Sequence, residues 1–472
     1  MFIAREQELA SLTSTYQTPG FQMSVVYGRR RVGKTCLLRK FIEDKPRSIF
    51  FTALESTASD NLIALSRAIY LSDHPSSMND LEPAAFPRFA SFEDALRNIF
   101  VQAQEARLPF VIDEYPYLAN SYPAISSLLQ SLIDEQKGTS QLHLILCGSF
   151  MSFMEHQVLG HKSPLYGRRT MQLKVTPFDY LDAADMLPDA NPARIVELYA
   201  IAGGVPLYLE QLDSARSTEW NIAHRALSTG ALLNAEPLNY LLQEVRNPAT
   251  YNAVIAAIAR GCVRPAEISD AIHIDRARVD AYLKNLVELL IVERTAPVMD
   301  SNRKKVRYRI IDNLFRFWYT FMPKYGSLVD AGRSDAVARR LMEKEFPTFV
   351  GSAFEDVCRQ WIMRQVGGDA IDILPQEIGS WWGTDPRSRK QEEIDVVARS
   401  IDGELLLGEC KWRNEAVDVD VLDKLAERAG LFTATEKQLY LFAKAGFTNA
   451  CRTKAKRMGN VRLVGLEEML EG

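Results

Sequence analysis

Short apolar runs, each closed by a small or charged residue, alternate along this chain with stretches of helical spacing. Met23 to Tyr27 reads as a strand running into Gly28, and a helix starts around Lys34. Phe110 to Ile112 reads as a second buried strand ending in Asp113-Glu114, and "LHLILCGS" as a third ending in Ser149. From about residue 250 the rhythm turns helical. "YNAVIAAIARG" is an apolar helix stopped by Gly261, and "RPAEISDAI" is a short second helix. "IDRARVDAYLKNLVELLIVER" is a third, with Asp275 as N-cap and Val279, Leu283, Leu286, Val287 and Leu290 on one face. "SNRKKVRYRIID" then reads as a hairpin, and "NLFRFWYTFM" as an aromatic-rich packing segment. Further on, "FPTFVGSAFEDVCRQWIMRQV" is a helix with Phe354, Val357, Trp361 and Ile362 facing inward. "LPQEIGSWWGTD" and "KQEEIDVVARS" are strand-like, and a turn at Asp402-Gly403 leads into "ELLLGECKW".

The chain has 472 residues, a length that suggests roughly three domains. Hydrophobic residues make up 47% and charged residues 25%, the balance of a soluble protein with real cores. Net charge is −4, so no global basic field advertises nucleic-acid binding, and any such contact must come from local patches. The six cysteines, Cys36, Cys147, Cys262, Cys358, Cys410 and Cys451, show no CxxC and no His-paired spacing. Zinc is not expected, and reduced thiols in a cytoplasm are. The charged start "MFIAREQELA" is not a signal peptide, and no run of about 18 apolar residues predicts a membrane span.

Phosphate binding has a specific order of parts, and "VVYGRRRVGKT" supplies them: a strand, then Gly28, Arg29, Arg30, Arg31, Val32, Gly33, Lys34 and Thr35, then a helix. In this Gly-x-x-x-x-Gly-Lys-Thr pattern the glycines let backbone N–H groups curl around an anion at a helix N-terminus. Lys34 reaches the β- and γ-phosphates of ATP, and Thr35 can ligate Mg2+. Asp113 would hold the Mg2+ shell and Glu114 would polarise the attacking water. Ser149 has two readings: a sensor of the γ-phosphate, or a loop serine capping a helix.

Six segments in sequence, "FIAREQEL", "YGRRRVGKT", "FVIDEYPYL", "LILCGS", "PLYGRRT" and "IAGGVPLYL", resemble the archaeal-type ATPases of the STAND branch of the AAA+ superfamily over about residues 1–240. The resemblance implies that Arg5 and Glu6 lie beside the adenine, with Ala4 where the family usually has glycine. It implies that Pro206, within "GGVP", sits in a helical lid near the base. It makes Arg168 a candidate to touch the γ-phosphate, a surface ion pair being the alternative. The oligomeric state is left open.

Three helices and a basic hairpin make a winged helix-turn-helix of residues 250–320. The wing carries Arg303, Lys304, Lys305, Arg307 and Arg309, and Arg276 and Arg278 stand at the exposed start of its third helix. One reading is contact with double-stranded DNA, through phosphates at the wing and base edges at the helix. The other is an internal hinge, the use that STAND ATPases commonly make of such a module.

At the C-terminal end, Asp395 and Glu409 are fourteen positions apart (409 minus 395) on two strands joined by a tight turn. Both acids can reach the same end of that sheet, and Lys411 lies on the same face as Glu409. This Asp…Glu-x-Lys arrangement is that of the PD-(D/E)XK nuclease fold, and residues 345–472 resemble the domain of unknown function often fused to these ATPases. Asp395 and Glu409 would hold Mg2+ with the Cys410 carbonyl between them, Lys411 would orient or deprotonate water, and Glu355 would complete the acidic cluster. An exposed Glu409–Lys411 ion pair is the plainer alternative.

The expected fold is multidomain α/β: a P-loop ATPase core (1–175), a helical lid (176–245), the winged helix (246–322), a linker (323–344) and the nuclease-like domain (345–472). The expected function is an ATP-hydrolysing switch that controls a Mg2+-dependent DNA endonuclease. The alternative is a switch or scaffold whose C-terminal domain only binds nucleic acid or protein.

Overall fold

A computed structural model describes residues 2–74, 86–300, 305–368, 371, 373–386, 388–434 and 436–471. The chain divides into two compact units, Met1–Pro177 and Phe178–Gly472.

The first unit is built on five parallel strands: β1 (Gln22–Tyr27), β2 (Ile49–Thr52), β3 (Leu108–Asp113), β4 (Leu142–Gly148) and β5 (Met171–Lys174), in the order β2-β3-β4-β1-β5. Every residue of β1, β3 and β4 is buried, as a parallel sheet covered on both faces requires. Successive side chains divide between two cores by the strand period of two. Met23, Val25 and Tyr27 join Phe110, Ile112, Leu144 and Leu146 on one face. Val26 joins Val111, Ile145 and Cys147 on the other, against Leu37, Leu38 and Phe41. Those last three lie on the helix Lys34–Ile42, so the helix that follows the glycine loop is pinned to the sheet by its apolar stripe.

In the second unit, the helices Pro248–Ala259, Pro265–Ile272 and Arg276–Glu288 precede the antiparallel hairpin of β6 (Val292–Thr295) and β7 (Arg307–Ile310). Val254, Ile255, Ile268, Val279, Leu283 and Leu286 share one core with Ile310 and Phe315. Asp275 caps the third helix by accepting from the Ala277 N–H. Val287 and Leu290, expected on the same face, are only half-buried, and Leu290 has left the helix at a φ of 57°. The aromatic segment opens a longer helix, Asn313–Asp330, that runs eight residues beyond Met322 despite Pro323.

A second sheet follows the helix Phe346–Gln365. Its strands are β8 (Pro375–Thr384), β9 (Gln391–Ser400), β10 (Leu405–Lys411), β11 (Lys437–Ala443) and β12 (Val461–Gly465), in the order β12-β11-β10-β9-β8. β8, β9 and β10 are antiparallel, and β10, β11 and β12 are parallel. Gly403 at φ 85° closes the tight turn between β9 and β10, a position that favours glycine. All six cysteines are free thiols, and among the described residues no helix is long and apolar enough to cross a membrane.

Candidate functional site

The loop after β1 is shaped for close approach. A Cβ on Gly28 would lie 2.2 Å from the Val175 carbonyl oxygen, so the position admits glycine alone. Arg31 and Gly33 take φ of 74° and 87°, left-handed backbone of the kind from which anion-binding nests are built. Lys34 is buried and donates from Nζ to the carbonyls of Gly28 (2.9 Å) and Arg29 (2.8 Å), an ammonium folded onto its own loop. Arg29 and Val32 are also buried, and Arg30 donates to the Tyr117 hydroxyl at 2.9 Å while lying over the Phe150 ring.

Thr35 Oγ1 donates to Asp113 Oδ2 at 2.8 Å, bringing a hydroxyl and a carboxylate to one point below the loop. Hard oxygen donors of this kind suit Mg2+ beside a nucleotide triphosphate, so the residues present fit both groups. Next on the chain, Glu114 adopts a φ of 51°, uncommon for a side chain of its size and sustained only by firm surroundings. Ser149 supplies them: its Oγ donates to Glu114 Oε1 at 2.7 Å and its N–H to Oε2 at 3.4 Å. Arg5 ties the loop down by donating to the carbonyls of Val32 (3.2 Å) and Thr176 (2.6 Å). Ala4 sits at φ 54°, a backbone state that glycine takes without cost.

Arg168 and Pro206 are the other two expected nucleotide residues. The Arg168 guanidinium grips Asp134 with Nε (3.1 Å) and Nη2 (2.5 Å), the ion-pair alternative. Pro206 opens the short helix Pro206–Leu209 in the second unit, where the preceding Gly204 packs against Phe178 so closely that a Cβ would meet its carbonyl oxygen at 1.7 Å.

At the second sheet, Asp395, midway along β9, comes beside the end of β10. Asp395 Oδ2 accepts from the Cys410 N–H at 2.8 Å. Burial, with the charge of Glu409, pushes Asp395 up to about 6. Glu355 keeps 35% of its side-chain surface exposed, yet desolvation and the Asp395 charge push it up to about 8. Lys411 Nζ donates to Glu409 Oε1 at 2.6 Å, and Arg428 Nη1 donates to Oε2 at 2.9 Å. Thus Glu355, Asp395, Glu409 and Lys411 do share one electrostatic neighbourhood, but Glu409 already holds a cation on each oxygen. Among the described residues no three His, Cys, Asp or Glu side chains are gathered to cage a metal. The fit to Mg2+ is therefore that of a two-carboxylate site whose acids repel each other, with Lys411 alongside.

The basic hairpin looks inward. Arg303 and Lys304 lie outside the described residues. Lys305 pairs with Asp300 at 2.6 Å, the Arg307 guanidinium lies 4.4 Å from the Trp382 ring centre, and Arg309 binds Asp356 and Glu293. These three side chains, expected on DNA phosphates in one reading, lie against half-buried acids and an aromatic face. Arg276 and Arg278 remain exposed.

Sequence reasoning missed Arg428, Asp356 and Arg359. Arg428 lies nineteen positions beyond Glu409 in an ordinary amphipathic helix, with no local signal (428 minus 409). Asp356 was legible only as the neighbour of Glu355.

Residues 2–212 match a family described as an ATPase domain predominantly from Archaea. The N-terminal part is thus similar to archaeal-type ATPase domains. Residues 318–422 match a family described as "Archaea bacterial proteins of unknown function". The chain is 29% identical over 423 residues to the uncharacterized protein MJECL04 of Methanocaldococcus jannaschii, covering 88% of each. A stretch of 45 residues, 10% of the chain, is 44% identical to 76% of the uncharacterized ATP-binding protein MJ0423 of the same organism. In fold, the chain is similar to the Walker-type ATPase PABY2304 of Pyrococcus abyssi, with a TM-score of 0.51 and 22% identity over 67% of this chain and 96% of that one.

Proposed function

We propose that this chain is an ATP-hydrolysing switch that governs a metal-dependent DNA-cleaving site in its C-terminal part. The observation that carries the ATPase half is the 2.8 Å bond from Thr35 to Asp113 under a loop whose Lys34 is folded back on its own carbonyls. A phosphate chain offers Lys34 a stronger, charge-assisted partner than those carbonyls. The loop N–H groups bind the phosphates, Thr35 and Asp113 would hold Mg2+, and Glu114, oriented by Ser149, takes up the proton of the attacking water. Bound Mg2+ supplies charge neutralisation at the phosphates.

For the C-terminal half, Asp395 and Glu409 would hold the second Mg2+, which supplies Lewis-acid polarisation of a phosphodiester. Lys411 orients water beside it. In this reading residues 246–322 are a winged helix, 323–344 a linker and 345–472 a PD-(D/E)XK-type domain, after an ATPase core (1–175) and lid (176–245). A second reading, a switch whose C-terminal part binds nucleic acid or protein without cutting, draws support from the cation on each oxygen of Glu409. Purified protein incubated with linear and supercoiled DNA, Mg2+ or Mn2+, with and without ATP, separates the two. Cleavage that disappears in Asp395→Ala supports the first, and binding without any cleavage supports the second.

A further inference from the structure

Three arginines converge on one carboxylate in the second unit. Asp356, on the helix Phe346–Gln365, accepts from Arg309 Nη1 (3.0 Å), Arg309 Nη2 (2.6 Å) and Arg359 Nη2 (2.6 Å), and Arg316 Nη1 lies 3.6 Å away. Arg309 reaches it from β7 and also donates from Nε to Glu293 across the hairpin. Three of its five N–H donors, one on each nitrogen, are thereby committed to two acids of this unit.

Arg359 continues the chain by donating from Nη1 to the main-chain carbonyl of Asp395 at 2.7 Å. That bond falls where the sheet gives Asp395 little support. The β9–β10 ladder stops at Val396–Gly408, one residue short of it. On the other side, the β8–β9 register shifts between Gly379 and Trp381, opposite Val397 and Ile394. Arg359 therefore stands in for a strand partner at the residue that carries the acid.

The hairpin is seated independently by its loop. The Val298 N–H donates to the Ser380 carbonyl at 3.0 Å, and Val298 is buried with Ile394, Val397 and Leu405 in the core of the second sheet. A cavity of about 450 Å³ remains beneath the hairpin, with Arg307, Arg309, Glu355, Arg359 and Trp382 in its wall.

We propose that Arg309, Asp356 and Arg359 are positioning residues, a relay through which the seating of the hairpin sets where Asp395 stands relative to Glu355 and Glu409. The relay rests on the reading of Asp395 and Glu409 as a cleavage site for its functional meaning, but its mechanical part can be measured without cleavage. The helix Arg276–Glu288 shares a core with this hairpin, so anything bound at Arg276 and Arg278 acts on the same lever.

The test is hydrogen exchange on the full-length protein in four forms: wild type, Arg309→Gln, Arg309→Lys and Asp356→Asn. Removing a half-buried charged link opens the segment it holds, so amides of residues 391–400 should exchange about tenfold faster in Arg309→Gln and Asp356→Asn. Arg309→Lys, which keeps the charge without the fork, should fall between. Faster exchange in the hairpin with 391–400 unchanged overturns the relay. Exchange raised equally across 437–465 overturns it too, because Arg309 would then be a general stabiliser. With DNA as substrate, Arg309→Lys should lower kcat about tenfold and leave KM unchanged. A wild-type protein that cuts nothing removes the cleavage reading, while the exchange pattern still decides the relay.

Discussion

Ser149 Oγ donates to Glu114 Oε1 across 2.7 Å, so the end of β4 holds the acid that follows β3. A carboxylate so held, one residue after an aspartate bonded to Thr35, is the one proposed to polarise the attacking water. Glu114→Gln should lower ATP turnover about a hundredfold or more and leave ATP bound. Ser149→Ala frees the carboxylate without removing it, and should cost about tenfold in turnover with affinity unchanged. Steady-state hydrolysis and nucleotide titration check both. Turnover untouched in Ser149→Ala would return Ser149 to a helix-capping role.

The hairpin and the third helix make opposite predictions about DNA. Arg276→Ala with Arg278→Ala should weaken DNA binding and lower its salt slope by about 0.9 for each phosphate no longer neutralised. Lys305 and Arg307 act internally, on Asp300 and Trp382. Arg307→Ala should leave that slope alone and lower stability by about 0.5–1 kcal/mol, because the Trp382 ring then has no cation over its face. Salt titrations of DNA affinity and urea unfolding separate the two sets.

The sequence carried the first site almost whole, because a phosphate loop depends on neighbours in the chain. Gly28, Gly33, Lys34 and Thr35 fall within eight residues, and Asp113 and Glu114 end an unmistakable apolar run. The second site was legible in its acids but not in its counter-charges. Arg428 and Arg359 come from helices whose faces are fixed by packing, and helical periodicity identifies the buried stripe without saying which polar residue beside it will reach a sheet edge. The hairpin was legible as a hairpin and as basic. What it faces was invisible, because Asp356 and Trp382 lie 47 and 75 positions from Arg309 and Arg307 (356 minus 309, 382 minus 307).

Glu355 should leave a mark on stability against pH. Its carboxyl is raised from 4.5 to about 8, so between those values the folded protein holds a proton that the unfolded chain has released. Stability then falls as pH rises through that window. Glu355→Gln cannot titrate, so its curve should be flatter from about pH 5 to 8, and the variant should gain on wild type at the alkaline end. Tm measured at unit steps of pH tests this; parallel curves for the two proteins would mean that another group titrates.

The acidic cluster itself gives the most discriminating set of variants. If Asp395 and Glu409 share a metal, Asp395→Ala or Glu409→Ala should abolish Mg2+-dependent cleavage and leave ATP hydrolysis in place, since Thr35 and Asp113 would serve a different ion. Lys411→Ala should lose cleavage and keep metal, because an ammonium acts on water and is not a ligand. Arg428→Ala is different in kind. Arg428 bridges Glu409 and Glu392 at 2.9 and 2.8 Å, both in nearly buried surroundings, and its removal leaves two acids without their shared cation. Stability should drop by about 1–3 kcal/mol. Mn2+ affinity should rise, because a divalent ion no longer competes with a guanidinium for Glu409. Calorimetric titration of Mn2+ into the variant and wild type reads that change directly. A fall in Mn2+ affinity on removing Arg428 would mean that Glu409 is a structural anion, committed to its two cations, and the metal reading of this sheet edge would fall with it.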